Sequence, residues 1–212
     1  MADLVSQSFQ PERLTAASVL RAYRDGFFPM ACGDGRLRWF SPDPRGILPL
    51  DSFKMPHGFR RTRSRLAFEL TTNAAFAEVV RGCADRPETW IDPAIERVYA
   101  ELHAQGSAHS VEVWQDGRLV GGLYGVQIGG AFFGESMFSR VSEASKAALE
   151  MLVTTLRQEG FALLDIQWVT RHLAMFGATE IRRARYLALL HEAMAKRCVF
   201  PMVGAPDGRV AC

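Results

Sequence analysis

Cysteine is scarce and scattered. Cys32, Cys83, Cys198 and Cys212 form no CxxC pair, which argues against a zinc ribbon or a disulfide framework and for reduced thiols. No stretch reaches about 18 uninterrupted apolar residues, and Asp3, Gln7 and Gln10 break up the N-terminus, so neither a membrane span nor a signal peptide is expected. Charge of one sign is lacking too: 25 Lys and Arg face 23 Asp and Glu, a formal net charge of +2. A polycation that coats nucleic acid is thereby excluded, and any nucleic-acid contact must be a local patch. The sequence has no Walker loop, no GxGxxG, no GxSxG elbow, and no His pair with a carboxylate at metal-ligand spacing. Metal, ATP and dinucleotide chemistry lose ground together, and no cofactor is expected. The expected setting is the cytoplasm, with no membrane partner.

What is there suffices for one substantial core with a small second lobe: 212 residues, 48% of them hydrophobic. Leu14, Val19, Leu20 and Tyr23 recur at helical spacing before Gly26, predicting a short first helix. Residues 28–56 are crowded with Pro and Gly and read as extended segments and turns, so residues 1–60 are expected to form the small lobe and residues 61–212 the main domain. Asp92-Pro93 is an N-cap with proline at the first helical position, predicting a helix to about Gln105. Asp116-Gly117 and Gly129-Gly130 separate three β-like runs, hence an antiparallel meander. An amphipathic helix over residues 144–159, a buried strand over residues 161–167, a short helix from Arg171 and a last helix over residues 183–197 follow; in the last, Leu187, Leu190 and Met194 are expected to face inward.

Three places concentrate chemistry. Residues 132–140, Phe-Phe-Gly-Glu-Ser-Met-Phe-Ser-Arg, leave a strand carrying a carboxylate, hydroxyls, an arginine, aromatics and a thioether. Such a mixture builds an apolar pocket with Glu135 at its border to meet a cation, or else a plain core in which Glu135 pairs structurally with an arginine. Asp165 and Gln167 sit two apart on an apolar strand and should share a face. They either orient an amine and relay its proton, or form a polar pair satisfied by backbone. Phe59 followed by Arg60, Arg61, Arg63 and Arg65 is either a phosphate-neutralising patch or a solvated charge run. Trp39, Phe40, Trp90, Trp114 and Tyr124 are candidates to stack on a base, with Trp114 favoured because it ends a strand beside a turn.

The segments Trp39-Phe-Ser-Pro-Asp-Pro-Arg45, Leu102-His-Ala-Gln-Gly-Ser-Ala-His-Ser-Val-Glu-Val-Trp114, Leu119-Val-Gly-Gly-Leu-Tyr-Gly125, residues 132–140 and Leu164-Asp-Ile-Gln167, in that order, resemble the leucyl/phenylalanyl-tRNA–protein transferase family. The resemblance runs from about Glu12 to about Leu190. It implies an α/β (α+β) architecture: a GNAT-like acyltransferase domain preceded by a small N-terminal lobe. It also implies transfer of Leu or Phe, and sometimes Met, from aminoacyl-tRNA to proteins that begin with Arg or Lys, marking them for degradation. On that resemblance Glu135, Met137, Asp165 and Gln167 match active-site positions, Phe132 with Met137 the aminoacyl pocket, and Trp114 an aromatic facing the terminal adenosine. Trp39 and Tyr124 are further substrate-binding candidates, and Arg60, Arg61, Arg63 and Arg65 candidates for tRNA. The chain departs from the family pattern in lacking the glycine-rich segment before the first helix and in having Met30, where members usually carry Trp, after Phe28-Pro29; Met stacks less well.

An aminoacyl ester is already activated, so positioning an amine against it is the main task. The rival readings are an acyl-CoA transferase and a non-catalytic RNA-binding module. The first needs a (Gln/Arg)-x-x-Gly-x-(Gly/Ala) loop, which Gln127-Ile-Gly-Gly-Ala-Phe fails at its last position; the second leaves Glu135, Asp165 and Gln167 without a role.

Overall fold

The computed structural model describes residues 14–59 and 66–204. The arginines Arg60, Arg61, Arg63 and Arg65 lie outside the described residues. In chain order the elements are α1 (Ala16–Arg24), β1 (Phe28–Ala31), β2 (Leu37–Phe40), β3 (Arg45–Ile47), β4 (Glu69–Thr72), α2 (Phe76–Ala84), α3 (Pro93–Ala104), β5 (Ala108–Gln115), β6 (Arg118–Ile128), β7 (Ala131–Ser139), α4 (Ala144–Gln158), β8 (Leu163–Gln167), α5 (Arg171–Ala174), β9 (Thr179–Ile181) and α6 (Arg183–Met194). No helix among the described residues is long and apolar enough to cross a membrane.

Local chemistry sets the boundaries. Thr15 and Ser18 form a capping box at the start of α1, and Asp92 accepts from the Ile95 N–H at the start of α3, with Pro93 behind it. Asp116 and Gly117 both take positive φ and turn β5 into β6. Across the sheet, the buried Glu112 carboxylate accepts from the Ala74 and Ala75 N–H groups just before α2 and from Thr71 and Ser110. A buried acid is thereby satisfied by a helix start and two hydroxyls.

Seven strands form one sheet in the order β4-β5-β6-β7-β8-β3-β9, and β1 with β2 forms a separate hairpin. All neighbours are antiparallel except β7 and β8, which are parallel and joined through α4. Of the expected lobe over residues 1–60, the β1–β2 hairpin forms its own small sheet with Phe28 and Trp39 packed into the main core, while β3 is inserted in the large sheet between β8 and β9. Each face of the sheet carries a core. One gathers residues of α1, α2, α3 and α6, among them Tyr23, Val79, Ile95, Tyr99 and Tyr186; the other gathers α4 residues Ala147, Leu149, Leu152 and Leu156 with Phe132, Phe161, Phe176 and Phe200. In α6, Leu190 is buried as expected, but Leu187 is exposed, and Tyr186 takes the inward place with Ala193.

Candidate active site

Two irregularities in the sheet shape the site. In β7 the register skips from Gly125↔Gly134 to Tyr124↔Ser136, so Glu135 is an extra residue, a β-bulge. Opposite it a side chain at Gly125 would meet the Phe133 carbonyl oxygen at 2.3 Å and the Phe132 ring at 2.4 Å, so the bulge requires glycine there. In β8 the strand ends in a kink: Gln167 has φ 57 and the Trp168 N–H reaches the Ile166 carbonyl at 2.6 Å. A β-carbon on Gly46 of β3 would lie 2.8 Å from the Trp168 carbonyl carbon. The bare backbone at Gly46 is what lets the kink nest against β3.

The bulge and the kink bring Glu135 and Gln167 together. The Glu135 carboxylate accepts from the hydroxyl of Tyr23 (2.6 Å, Oε1), the hydroxyl of Tyr99 (3.1 Å, Oε2) and the Gln167 amide (3.3 Å, Oε1), and the two tyrosine hydroxyls are 2.6 Å apart. Burial of the carboxylate pushes Glu135 up to about 7, against the lowering effect of the two hydroxyls. Burial, with Glu135 next to them, likewise holds both tyrosines well above their ordinary value.

Asp165 takes a different environment. Its Oδ1 accepts from Arg45 Nε and from the Gln167 backbone N–H, both at 2.9 Å, and its Oδ2 from Arg45 Nη2 at 2.6 Å and the Tyr186 hydroxyl at 2.7 Å. Two donors per oxygen fill the carboxylate's acceptor capacity. Arg45 also donates to the Gly26 carbonyl at 3.0 Å and lies against the rings of Phe28 and Tyr186, at 4.8 and 4.6 Å. Burial alone would push this guanidinium down, but the Asp165 carboxylate outweighs it and holds Arg45 above the usual arginine value.

A cavity of about 510 Å³ opens beside this network. Its deep wall is apolar: Leu123, Leu149, Leu152, Leu164 and Ile166, with Met137. Glu135 and Gln167 form one polar edge. Toward solvent it is bordered by half-buried Met30, Trp90 and Trp168 and by exposed Arg86 and Thr170. Such a shape takes an apolar side chain at depth and a flat or charged group at the mouth.

Of the residues singled out from sequence, Glu135, Met137, Gln167 and Tyr124 line this cavity. Asp165 does not; it stands one layer behind, fixing Gln167. Trp114 is corrected: only 4% exposed, it donates its indole N–H to Thr71 inside the core, and Trp90 lines the mouth instead. The strand-end position of Trp114 was misleading because β4 covers it, pairing Glu69 with Trp114. Phe132 and Trp39 are also core residues away from the lining, Phe132 stacking on Phe200 at 5.5 Å. Sequence reasoning missed Tyr23, Tyr99 and Arg45. The tyrosines read as ordinary apolar-face positions of α1 and α3, and nothing local marks Arg45 as buried.

Residues 47–191 match the family model described as leucyl/phenylalanyl-tRNA protein transferase, and residues 12–43 match that of its N-terminal domain. The chain is 56% identical over 177 residues to the leucyl/phenylalanyl-tRNA–protein transferase of Salinibacter ruber, covering 83% of this chain and 78% of the relative. To the protein of the same name from Paramagnetospirillum magneticum it is 54% identical, covering 88% and 92%. Among solved structures it is similar to L-PGS from Bacillus licheniformis, with a TM-score of 0.47, 11% identity, and 73% and 66% of the two chains covered. A ribosomal-protein-alanine N-acetyltransferase from Brucella melitensis biovar Abortus 2308 is similar with a TM-score of 0.39 and 14% identity, covering 51% and 86%.

Proposed function

The chain belongs to the leucyl/phenylalanyl-tRNA protein transferase family, and on that footing we propose that its cavity holds the aminoacyl end of a charged tRNA while a protein N-terminus attacks it. The observation that carries the reading is the pairing of an apolar blind end with a carboxylate and an amide at its edge. Leu or Phe, and Met as a third donor, fit the wall of Leu123, Leu149, Leu152, Leu164, Ile166 and Met137; the adenosine lies at the mouth by Trp90 and Met30. The acceptor begins with Arg or Lys, whose positive charge Glu135 attracts. The reaction takes place in the cytoplasm, where charged tRNA is made, and marks the acceptor for degradation.

In the reaction the acceptor α-amine attacks the ester carbonyl, a C–N bond forms, the C–O bond to the ribose breaks, and the amine's proton ends on the released ribose hydroxyl. No other co-reactant is consumed. Gln167 orients the amine through its side-chain amide, held by Glu135. Asp165, with every lone pair engaged, is a positioning residue: it pins the backbone N–H of Gln167 and so keeps the kink in place. The proton's way out is then the ribose hydroxyl on which it ends, a substrate-assisted route.

The test is transfer of radiolabelled Leu or Phe from charged tRNA to a peptide beginning with Arg, beside one beginning with Ala. Label on the Arg peptide alone is expected. Binding of tRNA without transfer would instead favour an RNA-binding module.

A further inference from the structure

Arg86 has no part in the network described so far, yet it lines the cavity and, among the described residues that line it, is the one permanent cation. It follows the C-terminal end of α2, where its Nε donates to the Cys83 carbonyl at 2.8 Å, and its Nη2 donates to the Ser136 hydroxyl on β7. Those tethers use two of the five N–H donors of a guanidinium and hold the plane in one orientation. The rest of the group is exposed at the mouth.

Burial falls from the leucines at the blind end to Arg86 and Thr170 at the opening, so a ligand with an apolar end and a polyanionic end enters in one sense only. With the aminoacyl group at depth and the adenosine beside Trp90, the next chemical group toward solvent is the phosphodiester that joins the adenosine to the preceding nucleotide. We infer that Arg86 binds this phosphodiester, so that the chain reads the tRNA end one linkage beyond the aminoacyl-adenosine; the inference rests on the function proposed above. Glu135 and Ser136 are neighbours on β7, so a single strand holds the carboxylate that meets the cationic acceptor and the anchor of the arginine that meets the anionic donor. The two charges are held apart by different partners, tyrosines for Glu135 and a hydroxyl for Arg86.

The experiment compares two minimal donors, phenylalanyl-adenosine and the phenylalanyl ester of the dinucleotide CpA, with an Arg peptide as acceptor. The unaltered chain is expected to prefer the dinucleotide, and Arg86→Gln to lower that preference, as a ratio of kcat/KM values, about tenfold, the scale of one charge-assisted hydrogen bond. Arg86→Lys retains part of the preference, and added KCl erodes the preference of the unaltered chain more than that of Arg86→Gln. Because both donors are measured on one preparation, any loss of folded protein cancels in the ratio. An unchanged ratio in Arg86→Gln, with an active parent chain, overturns the assignment alone. No transfer from either donor by the parent chain overturns the proposed function and the assignment with it.

Discussion

Glu135 and Asp165 share one network, and their partners divide the work between them. Glu135 keeps room for a ligand and is pushed up to about 7 by burial, so it changes charge near neutrality. On the function proposed above, its proton leaves as pH rises through about 7 and the attraction for a cationic acceptor switches on. The kcat/KM for an Arg peptide is therefore expected to rise through about 7 in the parent chain. In Glu135→Gln that step should vanish, leaving only the later rise due to the peptide's own α-amine, near pH 8; a step persisting at 7 would remove Glu135 from this role. Asp165→Asn, by contrast, leaves Arg45 buried and unpaired, since the side chains of the pair are 1% and 0% exposed. A loss of about 3–5 kcal/mol in urea unfolding is expected. Replacing both partners with apolar residues should recover much of that stability without restoring transfer, because the Gln167 N–H still lacks its acceptor. At this scale the sequence was legible where chemistry clusters in a short segment, as around Glu135. It was not legible where a residue acts through partners far along the chain: Arg45 meets Asp165 across 120 positions and Tyr23 meets Glu135 across 112.

Elements were easier to read where side chains announce their ends. Asp92-Pro93, Asp116-Gly117 and the amphipathic run over residues 144–159 all give the elements expected of them, the last ending at Gln158. β3 was hidden because three residues between Pro44 and Leu48 carry no periodicity, and its place is set by β8 and β9 rather than by its own composition. Element-scale tests follow from the same geometry. Asp92→Ala removes the cap of α3, which carries Tyr99, and should cost about 1 kcal/mol by urea unfolding. Gly46→Ala drives a methyl group into the Trp168 backbone and must move the end of β8. It should lower kcat far more than it lowers the melting temperature, whereas parallel losses would show that the kink serves stability only.

Two buried titrations oppose each other across the molecule. Burial lowers His109 from 6.5 to about 4, with its ring stacked on Phe200 at 4.7 Å. As pH falls below 6.5 the unfolded chain protonates this histidine first, so stability is lost progressively toward pH 4. Glu135 has the reverse sign: between about 7 and 4.5 the folded chain holds the proton that the unfolded chain has released, so acidification favours the fold. The two windows overlap and offset one another. Relative to the parent, His109→Gln should gain stability as pH drops from 6.5 to 4.5 and Glu135→Gln should lose it, both read from urea midpoints at a series of pH values; equal slopes in all three chains would contradict the assignment.

The cavity also straddles the two cores. Its apolar wall draws on α4 through Leu149 and Leu152, while the tyrosines that grip Glu135 come from α1 and α3 on the opposite face of the sheet. In the proposed reaction, reshaping the α4 wall by a single methylene is worth about 1–3 kcal/mol of discrimination between donors, and it leaves in place the tyrosine hydroxyls on α1 and α3 that hold Glu135. On the function proposed above, donor choice and acceptor choice are thus carried by different elements, so that either can be altered without rebuilding the other.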